Sequence, residues 1–153
     1  MPVSENDAAA RLTEVLDLVG PVYRRAQRKV EEDMSAAGLS VGVRAVLNML
    51  RHGPLTVPQM GRAQAISRQF VQRMVNDAVG RGLVEPVPNP AHKRSPLIRL
   101  TPDGETAITA VLTREHAILD RAGADLADAD IIGCVRTLTR LLDLLADVDV
   151  DAQ

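Results

Sequence analysis

Between Ser40 and Thr101 the chain is punctuated so often that no long element fits. Ser40 is a helix cap in front of Val43, Val46, Leu47 and Leu50, and Gly53-Pro54 stops that helix. Thr56 and Gln59 have the spacing of a capping box, with Pro58 in the first turn, where a missing N–H costs little. The short helix that follows carries Val57, Met60 and Ala63. Ser67 caps a third helix, on which Phe70, Val71, Met74, Val75 and Ala78 recur at helical spacing and are expected to face inward. Gly80 and Gly82 close it. Two β-rich runs come next, Leu83–Val87 and Leu97–Leu100, separated by turn formers with Lys93 and Arg94 among them. They read as a hairpin with a basic tip, and Pro86 and Pro96 imply short, edge-like strands. Three short helices followed by a hairpin make a winged helix–turn–helix.

Long helices flank this lobe. Ser4, with Asp7 three residues on, opens a stripe of Leu12, Leu16, Val19, Val22, Tyr23, Ala26, Val30 and Met34 over a helix of about 30 residues. Pro21 interrupts its hydrogen bonding, and Gly38 ends it. After the hairpin, Thr101-Pro102 opens a helix carrying Ile108, Val111, Leu112, Ile118, Leu119 and Ala122, to about Ala124. Asp128 or Asp130 opens the last helix, with Ile131, Val135, Leu138, Leu142 and Leu145 on one seam; the acidic tail after Asp147 reads as frayed. These stripes exceed what one small lobe can bury, so part of them is expected to meet a second copy. Tyr23 and Phe70 are the only aromatic residues, which suits an Ala/Leu/Val helical core better than a sandwich or barrel. The expected architecture is mainly α: a dimerisation helix over residues 1–38, a winged helix–turn–helix lobe over 39–101, and dimerisation helices over 102–153. No internal repeat or linker interrupts it.

Charge is unevenly distributed. Residues 51–100 hold eight Lys/Arg against two Asp/Glu, whereas residues 101–153 hold four against eleven. A basic middle in a weakly acidic chain points to one local polyanion site. Within it, the third short helix begins with Ser67, Arg68, Gln69, Gln72 and Arg73 off the apolar positions, all hydrogen-bonding and none acidic. Recognition helices place such N-terminal turns against base edges in the major groove. Arg suits guanine O6/N7 and Gln suits adenine N6/N7, while Ser67 and the free N–H groups at the helix start suit a phosphate. Lys93 and Arg94 at the hairpin tip suit an adjacent minor groove, where narrow A·T tracts concentrate negative potential.

Residues 39–147 resemble the MarR family of bacterial transcription regulators. The likeness is carried by Leu-Thr-Val-Pro-Gln-Met-Gly at 55–61, Ile-Ser-Arg-Gln-Phe-Val-Gln-Arg-Met-Val at 66–75, Arg-Gly-Leu-Val at 81–84, Asn-Pro-Ala-His-Lys-Arg at 89–94 and Leu-Ile-Arg-Leu-Thr-Pro-Asp-Gly at 97–104. The family's wing reads Asp-Pro-x-Asp-Arg-Arg. Here Asn89 replaces the first Asp, His92 the second and Lys93 the first Arg; the acidic wing residue that braces an arginine in the family is thereby replaced by His92, which cannot do so when protonated. The resemblance implies a homodimer built from the terminal helices, bound to double-stranded DNA at a pseudo-palindromic operator with half-sites about 10 bp apart. It also implies a regulator, most often a repressor, released by a small phenolic or anionic effector; Tyr23, Met49, His52 and His116 are the candidate lining of that effector's cleft. The rival is a winged-helix module that contacts protein rather than DNA, which should show apolar residues on its wing or reading face.

Other chemistries find little support. His52, His92 and His116 are scattered, without the spacing that holds a metal, and there is neither a Gly-rich phosphate loop nor a nucleophile elbow. No catalytic residue, metal or cofactor is expected. The single cysteine, Cys134, reads as packing and suits a reducing compartment, the cytoplasm. The polar N-terminus is unlike a secretory signal, and no apolar run approaches the roughly 20 residues that span a bilayer.

Overall fold

The computed structural model describes residues 5–148. Its contacts group into two compact units, Met1–Val41 and Gly42–Gln153.

The first unit holds a single helix, α1 (Glu5–Ala37), which continues through Pro21. The cap expected at Ser4 lies outside the described residues. Gly38 follows the helix at φ 72°, the left-handed conformation that glycine adopts freely. Leu12, Leu16, Leu18, Val19, Val22 and Tyr23 are all exposed on α1.

The second unit begins with α2 (Val41–Met49), extended by a 3-10 turn over Leu50–His52. Then come α3 (Val57–Gln64) and α4 (Arg68–Gly80). The caps read from the sequence are made. Thr56 Oγ1 accepts from the Gln59 N–H, while the Gln59 side chain accepts from the Thr56 N–H at 2.8 Å. Ser67 Oγ accepts from the Phe70 N–H. Strands β1 (Val84–Val87) and β2 (Leu97–Leu100) pair antiparallel, with Val84 opposite Leu100 and Val87 opposite Leu97. Leu55 bridges to Ile98 on the other side of β2, exchanging both backbone bonds at 2.8 and 3.1 Å. Thus β1, which contains Pro86, is the edge strand, whereas β2, expected to be edge-like from Pro96, is held on both sides because Pro96 precedes it and takes no part in the pairing. The chain closes with α5 (Pro102–Ala122) and α6 (Asp128–Leu144).

The core lies among α2, α3, α4 and the start of α5. Val43, Val46, Leu47, Met60, Val71, Val75 and Ile108 are buried there with almost no exposure. One expectation fails. Phe70 does not face inward: it is 45 % exposed. Val71, Met74, Val75 and Ala78 already fill the inward face of α4, leaving the phenyl ring at its edge.

Arg44 on α2 grips Glu115 on α5 with a two-pronged ion pair, its Nε donating to Oε1 at 2.7 Å. Both side chains are largely withdrawn from water, so these charge-assisted bonds stabilise the junction by about 2 kcal/mol. No residue of α6 is buried: Ile131, Ile132, Val135, Leu142 and Leu144 are exposed, and so is Cys134. Among the described residues no helix is long and apolar enough to cross a membrane.

Candidate nucleic-acid interface

The Ser67 cap fixes where α4 starts and therefore which side chains occupy its first two turns. Arg68, Gln69, Gln72 and Asn76 project from the face opposite the core and are exposed. The hairpin stands beside this face. Between α4 and the wing lies a cleft of ≈ 500 Å³ whose lining includes Arg68, Gln69, Gln72, Asn76 and Arg94, and no Asp or Glu. Four of the seven expected DNA-contacting residues, Arg68, Gln69, Gln72 and Arg94, therefore converge on one cleft. Ser67 caps the helix beside them. Lys93 is exposed on the hairpin loop next to Arg94, outside the cleft lining. Arg73 is also outside it, with its guanidinium carbon 5.4 Å from the centre of the Phe70 ring.

Local pairing concentrates the positive charge. The two acids of residues 51–100 are both engaged: Asp77 with Arg81 at 3.0 Å, and Glu85 with Arg99 across the hairpin at 2.7 Å. Outside those two pairs the cations of this segment are Arg51, Arg62, Arg68, Arg73, Lys93 and Arg94. Four of these six belong to α4 or the wing loop.

The wing has a brace of its own. Asn89 Nδ2 donates to the Ser95 carbonyl at 2.9 Å, and Asn89 Oδ1 accepts from the Ala91 N–H at 3.1 Å. A further bond, from the Ser95 N–H to the His92 carbonyl at 3.2 Å, tightens the tip. One amide side chain thus spans the loop as both donor and acceptor, and no acidic side chain takes part. A carboxylate at 89 could only accept. Asn89→Asp is therefore expected to loosen the tip by about 1 kcal/mol, speeding amide exchange across residues 91–95 about fivefold. Hydrogen–deuterium exchange measures this; unchanged protection would show that the tip is held by something else.

The expected effector residues are less concentrated. Met49 is the last residue of α2, and His52 is exposed in the 3-10 turn. His116 lines a shallow hollow of ≈ 390 Å³ with Arg51, Thr109, Leu112 and Thr113; Met49 and His52 are not part of that lining. Tyr23 is exposed on α1, in the other unit. Nothing in the sequence ties Arg51 to His116; only the fold sets both in one hollow. Among the described residues, no three His, Cys, Asp or Glu are grouped so as to hold a metal ion.

Comparison with known proteins agrees with this geometry. A family model described as MarR family matches residues 37–95. Uncharacterised proteins of Mycobacterium tuberculosis and Mycobacterium bovis are 33 % identical over 136 residues, covering 88 % of this chain and 92 % of theirs. Among solved structures, a MarR family transcription regulator superposes with a TM-score of 0.75 at 29 % identity, over 93 % of this chain and 95 % of that one. A mutant of Escherichia coli MarR complexed with operator DNA superposes at 0.72 and 20 % identity, over 86 % and 96 %. CouR of Rhodococcus jostii, bound to p-coumaroyl-CoA, does so at 0.75 and 20 %, over 82 % and 89 %. With its capped three-helix lobe, paired wing and long flanking helices, the chain belongs to the MarR family of DNA-binding transcription regulators, which are not enzymes.

Proposed function

We propose that this chain acts as a homodimeric, sequence-specific repressor that binds a pseudo-palindromic operator and leaves it when a small phenolic or anionic ligand binds. In this reading Gln69, Gln72, Arg68 and Arg73 approach base edges in the major groove, Ser67 and the start of α4 hold a phosphate, and Lys93 and Arg94 reach the flanking minor groove. The observation that carries it is the cleft itself, where a helix start and a wing arginine converge with no carboxylate between them. Exposed apolar seams on α1 and α6 supply what a dimer would bury. Two lobes would then meet successive major grooves about 10 bp apart. The domain division follows the same reading, with residues 39–101 touching DNA and residues 1–38 and 102–153 pairing the subunits.

Arg51 and His116, with the hydroxyl of Thr109, give the hollow on α5 donors suited to a carboxylate or phosphate group, which supports an anionic effector; the Thr113 hydroxyl is already spent on the Thr109 carbonyl at 2.9 Å. The Arg44–Glu115 pair ties α5 to α2 one residue from His116, so a ligand there would press on the joint between the reading lobe and its flanking helix.

Enrichment of bound duplexes from a randomised library, followed by fluorescence anisotropy on matched and scrambled sites, tests the reading. Gln69→Ala and Arg73→Ala are expected to cost about 1–3 kcal/mol, confined to particular base pairs. Arg94→Ala should weaken binding on all sequences, with a modest loss of A·T preference at the flanks. Equal losses on every sequence from all three variants would overturn the assignment of base-reading residues.

A further inference from the structure

We infer that Phe70 is a specificity-determining residue that reads the 5-methyl group of a thymine, with Arg73 held against its ring to read the neighbouring base pair. This rests on the DNA-binding reading above and names part of what that surface recognises.

Phe70 is the only phenylalanine in the chain. It occupies the third position of α4, where its N–H is committed to the Ser67 cap, so its backbone is fixed at the end of the helix that faces DNA in this reading. The core does not use it. Val71, Val75 and Ala78 are at most 1 % exposed and Met74 is 8 % exposed, whereas Phe70 is 45 % exposed. Leaving half a phenyl ring in water sacrifices apolar burial that an alanine or glutamine at the same place would not forgo.

Among the described residues its ring contact is the Arg73 guanidinium, three residues on along the same face. That guanidinium makes no hydrogen bond or ion pair among the described residues, so the ring is what positions it and its N–H donors remain available. A cation held over an aromatic face has already lost part of its rotamer freedom and gives up less on binding.

The major groove presents one apolar group on any base edge, the thymine methyl, and a phenyl side chain is among those that contact it. Arginine takes guanine O6/N7 in the same groove. A ring and a guanidinium stacked side by side therefore match a thymine next to a guanine. A protein partner fits less well, because it needs a contiguous apolar patch. The exposed neighbours of Phe70 on the helix are Arg68, Gln69, Gln72 and Arg73; the other exposed apolar side chain of α4, Val79, lies near its far end and lines the wing cleft.

The test uses the tightest duplex enriched from the randomised library. Each thymine is replaced singly by deoxyuridine, which removes the methyl group and leaves base pairing intact. Wild-type protein is expected to lose about fourfold in affinity at one thymine per half-site, the effect of withdrawing one buried methyl. Phe70→Ala should bind the parent duplex more weakly and show no further loss at that thymine. Phe70→Leu, which keeps an apolar tip, should retain part of the sensitivity. If no thymine is sensitive, or if wild type and Phe70→Ala lose equally at the sensitive one, Phe70 does not read the methyl group, while the DNA-binding reading stands on the parent duplex. If no duplex is enriched at all, that reading fails and this inference falls with it.

Discussion

Gly104→Ala is expected to destabilise the fold by about 3 kcal/mol, the upper end of the range for forcing an extra carbon into packed structure. At this chain length that corresponds to a melting point lower by about 9 °C. A Cβ at 104 would stand 1.9 Å from the Leu83 carbonyl oxygen and 2.9 Å from its carbon, both backbone atoms that cannot swing aside. The Leu83 carbonyl accepts from the Thr101 N–H at 3.0 Å. The Thr101 hydroxyl donates to the Gly82 carbonyl at 2.7 Å and accepts from the Gly104 N–H at 3.1 Å. The first turn of α5 is thereby locked onto the chain that leaves α4 and enters β1. Relieving the clash means lifting that turn and breaking the bond from Thr101 to Leu83, which also disturbs the root of the wing. Gly80→Ala is the control. A Cβ there meets nothing within 4 Å, its φ is not positive, and added helix propensity should raise stability by up to about 1 kcal/mol. Thermal melts of the two variants should move in opposite directions. A Gly104→Ala melt matching wild type would mean that α5 is not seated against Leu83.

The same residues show which parts of the structure the sequence carries openly. The caps at Thr56, Ser67 and Thr101 are hydrogen bonds closed within three residues, so spacing alone reveals them. Pro86 marks β1 as an edge because a missing N–H is a local fact. Phe70 departs from the inward orientation that helical periodicity predicts because it lies at the border of the apolar face. Whether a border residue is buried depends on how much volume its neighbours already fill, which is a property of the packed lobe. Distance hides the rest. Arg44 and Glu115 are 71 positions apart, and Glu85 and Arg99 meet only once the hairpin register is set. In sequence the wing shows only the loss of an acidic brace at His92, and nothing marks Asn89 as its replacement. The reach of Asn89 to Ser95 depends on the loop closing first. The exposed polar face of α4 is legible, since the Ser67 cap and the apolar positions of α4 together determine which side chains remain outside.

DNA affinity is expected to fall about ten-thousandfold when monovalent salt rises from about 50 to about 200 mM, the largest change foreseen in any measurement on this protein. Arg68, Arg73, Lys93 and Arg94, counted in two subunits, would bring about eight positive charges into the grooves and displace about as many condensed counterions, giving a log–log slope near −7. Asp77 and Glu85 do not oppose this, because Arg81 and Arg99 already hold them, and the acidic surplus of the chain lies beyond residue 101. The sign follows from mass action: added salt favours the state in which counterions cover the DNA, so binding weakens. Single substitutions divide the slope. Arg94→Ala removes one groove-bound cation per subunit and should flatten the slope by about 2. Arg99→Ala removes a cation that Glu85 holds and should change it by less than about 1. Anisotropy titrations at four or five salt concentrations measure all three slopes. Half the expected wild-type slope would mean that one lobe engages the duplex at a time. A slope near zero would mean that α4 and the wing do not meet phosphates, leaving the exposed arginines of this cleft without a polyanion to bind.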